Sequence, residues 1–176
     1  MILKFKKLFV FTGILLLCMG FTLNKIDALV EKEIKATFKI NSYTKEVIII
    51  PFTINETLPL KMKDGDLMKI TTPNLKGYYY IGHGFGKAAY FDFIIILDEN
   101  LIVSKVKVLI YREEHGGEIG SNRWLKQFIG KTTENPLIYQ KDIAAISGAT
   151  ISAKSLTNEV NKFLKTIQIL HQKQLI

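Results

Sequence analysis

The apolar positions of this chain follow three periods in turn. From Leu8 to Leu23 they are almost unbroken, and no charge interrupts them. Through the middle of the chain they gather into short β-type runs. From Ala153 onward they recur every three or four residues, as on one face of a helix.

The middle can be read run by run. Val30, Ile34 and Phe38 stand four apart behind Asp27, a residue that can cap, so a short helix is predicted there. Val47-Ile48-Ile49-Ile50, closed by Pro51, reads as a strand. Asn55 to Asp66 reads mainly as loop, with Asp64-Gly65 as its turn signal. Within it Leu58, Leu60 and Met62 alternate, which allows a short strand that Pro59 would keep at an edge. Leu67 to Thr71 reads as a further strand. Gly77 to His83 is aromatic and β-like. The glycines that close it (Gly82, Gly84 and Gly86) read equally as a hairpin turn or as a close approach to a ligand ring. They are not a dinucleotide fingerprint, because the spacing is wrong and a strand follows. Tyr90–Leu97 and Leu101–Tyr111, joined by Asp98-Glu99-Asn100, predict a long hairpin at the centre of an antiparallel sheet.

Two helical patterns follow. Trp124 with Phe128, and Leu125 with Ile129, are i,i+4 pairs in a short helix that Asn122 would cap and Gly130 would end. Leu156, Val160, Phe163, Leu164, Ile167 and Leu170 mark the apolar face of a last helix, which should dock on the sheet. The expected fold is therefore α+β: a twisted antiparallel sheet flanked by helices.

The N-terminal run changes the picture of where the chain resides. Lys4, Lys6 and Lys7 precede it, the layout of a secretory signal or signal-anchor. About 16 residues at about 1.5 Å each span about 24 Å, short of the roughly 30 Å hydrocarbon core. The lysines keep the N-terminus inside and send the remainder out. Export, to the outer face of the bacterial cytoplasmic membrane or the periplasm, is the expectation. Cys18, the single cysteine, lies inside this run, so no intrachain disulfide can form. Leu15-Leu16-Leu17 before it is not the small-residue context of a lipidated cysteine.

The formal net charge is +8. The lysines are spread along the chain, and the aromatics are not interleaved with basic residues on one face. Nucleic acid is thus not the expected partner; the charge favours anionic ligands or an anionic membrane surface. There are three histidines, His83, His115 and His171, without ligand spacing, so no metal site is expected.

The candidate chemistry sits where the period changes. Ser147-Gly148-Ala149-Thr150-Ile151-Ser152 combines small residues, three hydroxyls and the start of a helix. Small residues let a ligand approach the backbone. A helix N-terminus offers unpaired N–H groups and a positive dipole end, which suit a phosphate. The plainer reading is a tight turn with Ser152 as helix cap. Upstream, Glu113, Glu114 and Glu118 crowd around Arg112, either as a solvated loop or as a catalytic carboxylate pair.

The run from Asp142 to Ser152 resembles the signature of the bacterial FMN-binding domain family. Its members include the C and G subunits of the sodium-pumping quinone reductase and the Rnf complex, and small exported flavoproteins. The hairpin, Glu113-Glu114-His115-Gly116-Gly117, and the run from Trp124 to Lys131 are similar to the same domain in order and spacing. The resemblance covers roughly residues 76–170. It implies that a flavin transferase joins FMN to the last threonine of a D-x-x-S/T-G-A-T pattern by a phosphoester; the acceptor would be Thr150. It implies cofactor contacts from Ser147, Gly148, Ala149, Ser152, Glu114 and Gly117. The pattern's aspartate falls at position 144, where this chain has Ala144; Asp142 lies two residues earlier.

The domain organisation expected is a signal or anchor over 1–28, a lead-in or N-terminal part over 29–75, and an FMN-binding domain over 76–176. The expected function is an extracytoplasmic FMN-carrying electron carrier that serves a membrane redox partner. Two alternatives stand beside it. One is a flavin reductase acting on a small substrate through His83 or His115. The other is a binding module that carries no flavin.

Overall fold

The computed structural model describes residues 25–134 and 136–176. The apolar run expected to direct export, Leu8 to Leu23 with Cys18 inside it, lies outside the described residues. No helix among the described residues is long and apolar enough to cross a membrane.

Five strands form one antiparallel sheet in sequential order: β1 (Thr44–Val47), β2 (Leu67–Thr72), β3 (Leu75–Phe85), β4 (Tyr90–Asp98) and β5 (Val103–Ile110). The fold is α+β, as the sequence implies. The β4–β5 hairpin lies at one edge of the sheet, however, and β3 takes the central place. Side chains alternate across a strand, so each face collects its own set. Tyr80, Phe91, Phe93, Ile95, Val106 and Val108 belong to the larger core. Tyr79, Ile94, Ile96, Met68 and Ile70 belong to a smaller one on the other face.

A helix covers each face. Residues 25–38 are helical (α1), and Val30 and Ile34 bury into the smaller core. Asp27 lies within this helix rather than capping it. Glu33 pairs with Lys105 of β5 at 2.7 Å, tying α1 across the sheet. The larger face receives a 23-residue helix (α4, Thr150–Gln172) with Leu156, Val160, Phe163, Leu164, Ile167 and Leu170 all buried. Burial of each such side chain stabilises by about 1.5–3 kcal/mol relative to exposure. Tyr80 stacks on Phe163, with centroids 4.8 Å apart.

Several local expectations are corrected. β1 ends at Val47; Ile48 and Ile50 pack on the larger core while Ile49 stays 66 % exposed. Leu58 to Met62 is not a strand. A short helix, α2 (Phe52–Asn55), precedes it, and the Asn55 side chain bonds both backbone groups of Met62 (2.8 and 3.0 Å). A single amide thus takes the place of a neighbouring strand. The helix at Trp124 (α3, Asn122–Leu125) is capped by Ser121, whose Oγ accepts from Trp124 N–H; Asn122 is its first residue.

Gly82 and Gly84 lie inside β3, not in a turn. They pair across the ladder with Phe93 and Phe91. A Cβ on Gly84 would stand 2.2 Å from the Phe91 ring, and one on Gly82 2.5 Å from the Phe93 ring. The close approach is therefore to the chain's own phenyl rings.

Candidate functional site

The six-residue motif does meet a helix N-terminus, and the helix begins earlier than its apolar pattern. Thr150 is the first residue of α4, and no side chain caps the helix. Ala153 N–H donates to Ala149 O (2.9 Å). The N–H groups of Thr150, Ile151 and Ser152 are thus left without intrahelical acceptors. Gly148 turns the chain into the helix at φ +76°, with open space around it. Few residues other than glycine accept that conformation cheaply.

A cleft of about 760 Å³ opens at this point. That volume is within the range typical of ligand sites, about 300–1,000 Å³. Its floor is Gly148, Ala149, Thr150, Ile151 and Ser152; its walls are Tyr111 to His115 and the Lys87-Ala88 turn. Of the residues expected from the sequence, Gly148, Ala149, Thr150, Ser152 and Glu114 come together here. Ser147 lines a neighbouring pocket, with Ala144 and Trp124. Gly117 is not among the cleft residues; it opens a turn of 3₁₀ helix, Gly117–Gly120.

The three hydroxyls of the motif have different surroundings. Thr150 and Ser147 are exposed. Ser152 is buried, and its Oγ lies 3.1 Å from the Tyr111 hydroxyl. It sits inside the first turn of α4 and does not cap the helix.

Residues the motif does not contain build the walls. Glu113 accepts the Ala88 and Ala89 N–H groups at 2.8 and 2.9 Å, which pins the β3–β4 turn beside the helix. Those two amides hold the Glu113 carboxyl below its ordinary range. Gly86 fits between them: a Cβ there would lie 2.3 Å from Glu113 Oε1 and 2.9 Å from Ser152 Oγ. Gly116, at φ +81°, packs on the motif itself; a Cβ would meet Ala149 Cβ at 2.6 Å. Tyr111 also donates to His115 O at 3.1 Å, closing that wall. Of these, Glu113 is expected from the sequence as half of a carboxylate pair, and here it serves as an acceptor for backbone amides; Gly86 is expected at a hairpin turn or a close approach, and it lies at the β3–β4 turn.

The two histidines of the reductase reading part company. His115 lines the cleft. His83 alternates with Tyr79 and Ile81 toward the α1 face, where its Nδ1 lies 2.6 Å from the buried carboxylate of Asp92. Arg112 binds the other Asp92 oxygen. This network closes the end of the sheet.

The cleft suits an elongated anion: open amides and a helix dipole at one end, backbone without bulk beside them, and Lys87 in the turn above. Among the described residues no cluster of His, Cys, Asp and Glu could hold a metal ion. In comparison with known proteins, residues 84–165 match the family model described as the FMN-binding domain. That span begins at Gly84 in β3 and ends within α4, so it takes in every cleft residue. No curated protein matches the chain.

Proposed function

The chain carries an FMN-binding domain with FMN as its cofactor, and from that premise we propose that it is an extracytoplasmic electron carrier whose flavin is attached to Thr150. The observation that carries the reading is the placement of the hydroxyls. Thr150 stands exposed on the cleft floor at the head of α4. Ser152 is buried against Tyr111, and Ser147 lies outside the cleft. An incoming phosphate ester at Thr150 would meet the open amides of the first helical turn.

The attachment step balances with FAD as donor. Thr150 Oγ forms a bond to the FMN-side phosphorus of the diphosphate, the P–O–P bridge breaks, and AMP leaves; the hydroxyl proton passes to solvent. A flavin transferase supplies the catalyst. Gly148, with open space where a side chain would stand, and the small Ala149 would leave room for the ribityl chain.

FMN, when bound, supplies the redox chemistry, and the protein's part is to hold it and set its potential. Tyr111 and Glu113 fix the cleft walls, and Lys87 places a cation beside it. Outside the cytoplasm a dissociated flavin would be lost, which gives a covalent link its physical rationale. Lys4, Lys6 and Lys7 ahead of the Leu8–Leu23 run favour that location. A reporter enzyme that works only when exported, fused after Ile176, should be active; activity of a reporter that works only in the cytoplasm would contradict export.

The position of His115 on the cleft favours a second reading, a flavin reductase that binds a small substrate there. Steady turnover by the isolated, flavin-loaded protein would support it over the carrier.

A further inference from the structure

Between Gly130 and Thr150 the described residues have little regular structure of their own. Connections this long inside a compact domain are uncommon and are usually functional. This one is held by side chains that bond both backbone groups of a single residue. Asn161 of α4 reads both groups of Leu137: Oδ1 accepts from its N–H, and Nδ2 donates to its carbonyl, each at 2.7 Å. Seven residues later the pattern recurs with two partners. Trp124 Nε1 donates to Ala144 O at 2.7 Å, and Gln127 Oε1 accepts from Ala144 N–H at 2.8 Å.

The second anchor rests on a rigid base. Trp124 and Phe128 are both buried and meet edge to face, with centroids 5.4 Å apart. Gln127 Nε2 donates to Trp124 O at 2.9 Å, which fixes the amide that faces the loop. Ala144 itself is exposed. Its side chain contributes no anchor, so its peptide is placed from below by α3 and the turn after it. Ile146 and Ala149 then bury, and the chain rises into α4 at Thr150.

We infer that Trp124 and Gln127 are positioning residues for flavin attachment: their grip on the Ala144 peptide sets the attachment loop before any flavin arrives. The inference rests on Thr150 as acceptor. A hydroxyl that must meet a phosphorus in line loses rate steeply when displaced, and a loop with free peptide groups would be displaced often. Asn161 anchors the same connection at a distance from the reacting oxygen and serves stability.

The test uses full-length apo-protein incubated with FAD and a flavin transferase, with attachment followed by intact mass after denaturation. Trp124→Phe keeps the ring and removes the donor; Gln127→Leu removes the acceptor. Each should slow attachment by about tenfold or more, and in apo-protein each should speed hydrogen exchange of the Ala144 amide. Gln127→Glu keeps an oxygen that can accept from Ala144 N–H but loses the donor to Trp124 O, so its rate should lie between those of Gln127→Leu and the unmutated chain. Asn161→Leu should lower the unfolding midpoint yet leave the attachment rate within about twofold, because it does not touch the Ala144 peptide. Unmutated attachment rates in both Trp124→Phe and Gln127→Leu would overturn the inference, as would an equal slowing by Asn161→Leu. If the unmutated chain takes up no flavin, Thr150 fails as acceptor. The exchange measurement then decides the anchor alone, and unchanged Ala144 exchange in Gln127→Leu overturns it.

Discussion

Thr150→Ala protein made beside a competent flavin transferase should keep no flavin after denaturation, while folding as the unmutated chain does. The substitution removes the Oγ that would form the ester and adds no bulk. Thr150 is exposed and does not cap α4, so stability should change by no more than about 0.5 kcal/mol. Alanine also has the higher helix propensity, which works against any loss. Thr150→Ser should retain some flavin, because the hydroxyl remains at the same helical position. Ser152→Ala should leave attachment intact and lose only the contact with Tyr111. Flavin that stays with denatured Thr150→Ala protein would move the acceptor elsewhere.

The second large effect falls on the fold. Gly84→Val should destabilise the protein by about 3 kcal/mol or more, at the upper end of what overpacking costs. The ideal Cβ lies 2.2 Å from Phe91, a ring with no exposure, between β4 and the larger core. Neither partner can yield without moving the sheet. Urea denaturation of apo-protein would show this as a lowered midpoint whether or not flavin is ever attached. A normal midpoint with an altered flavin spectrum would instead place the flavin ring at Gly84.

These two residues also show how far the sequence could be read. β2 to β5 and α4 are legible because their apolar periods are long and agree with burial in the structure. Gly82 and Gly84 were ambiguous because the reason for them lies on the next strand: Phe91 and Phe93 fill the space the missing side chains leave. Only the hairpin register pairs them. The start of α4 was obscured by its own composition. Serine and threonine usually compete with helix by bonding nearby backbone, so Thr150 to Ser152 read as approach rather than helix. In the fold Ser152 turns inward to Tyr111 instead. The Leu58 to Met62 alternation failed for a similar reason, since the Asn55 side chain supplies the bonds that a strand partner would have given.

The candidate site was legible in its centre and, at Glu114, in one wall. The small residues and hydroxyls before an amphipathic run located the floor at Gly148 to Ser152. Ser147 and Gly117, which the family resemblance implies as cofactor contacts, do not line the cleft; each stands next to a glycine of positive φ, Gly148 and Gly116, where the chain turns. Glu113, Tyr111 and the Gly86 turn come from elements more than 30 residues from Thr150 in the chain. Local patterning has no access to such contacts, and no single spacing rule would have joined them.

The most direct measurement is the intact mass of denatured, unmutated full-length protein, recovered from cells that hold a competent transferase, followed by peptide mapping. The account predicts a mass raised by one FMN less one water, with the increment on the peptide that contains Thr150. A polypeptide of unmodified mass, with all flavin released on denaturation, would contradict it.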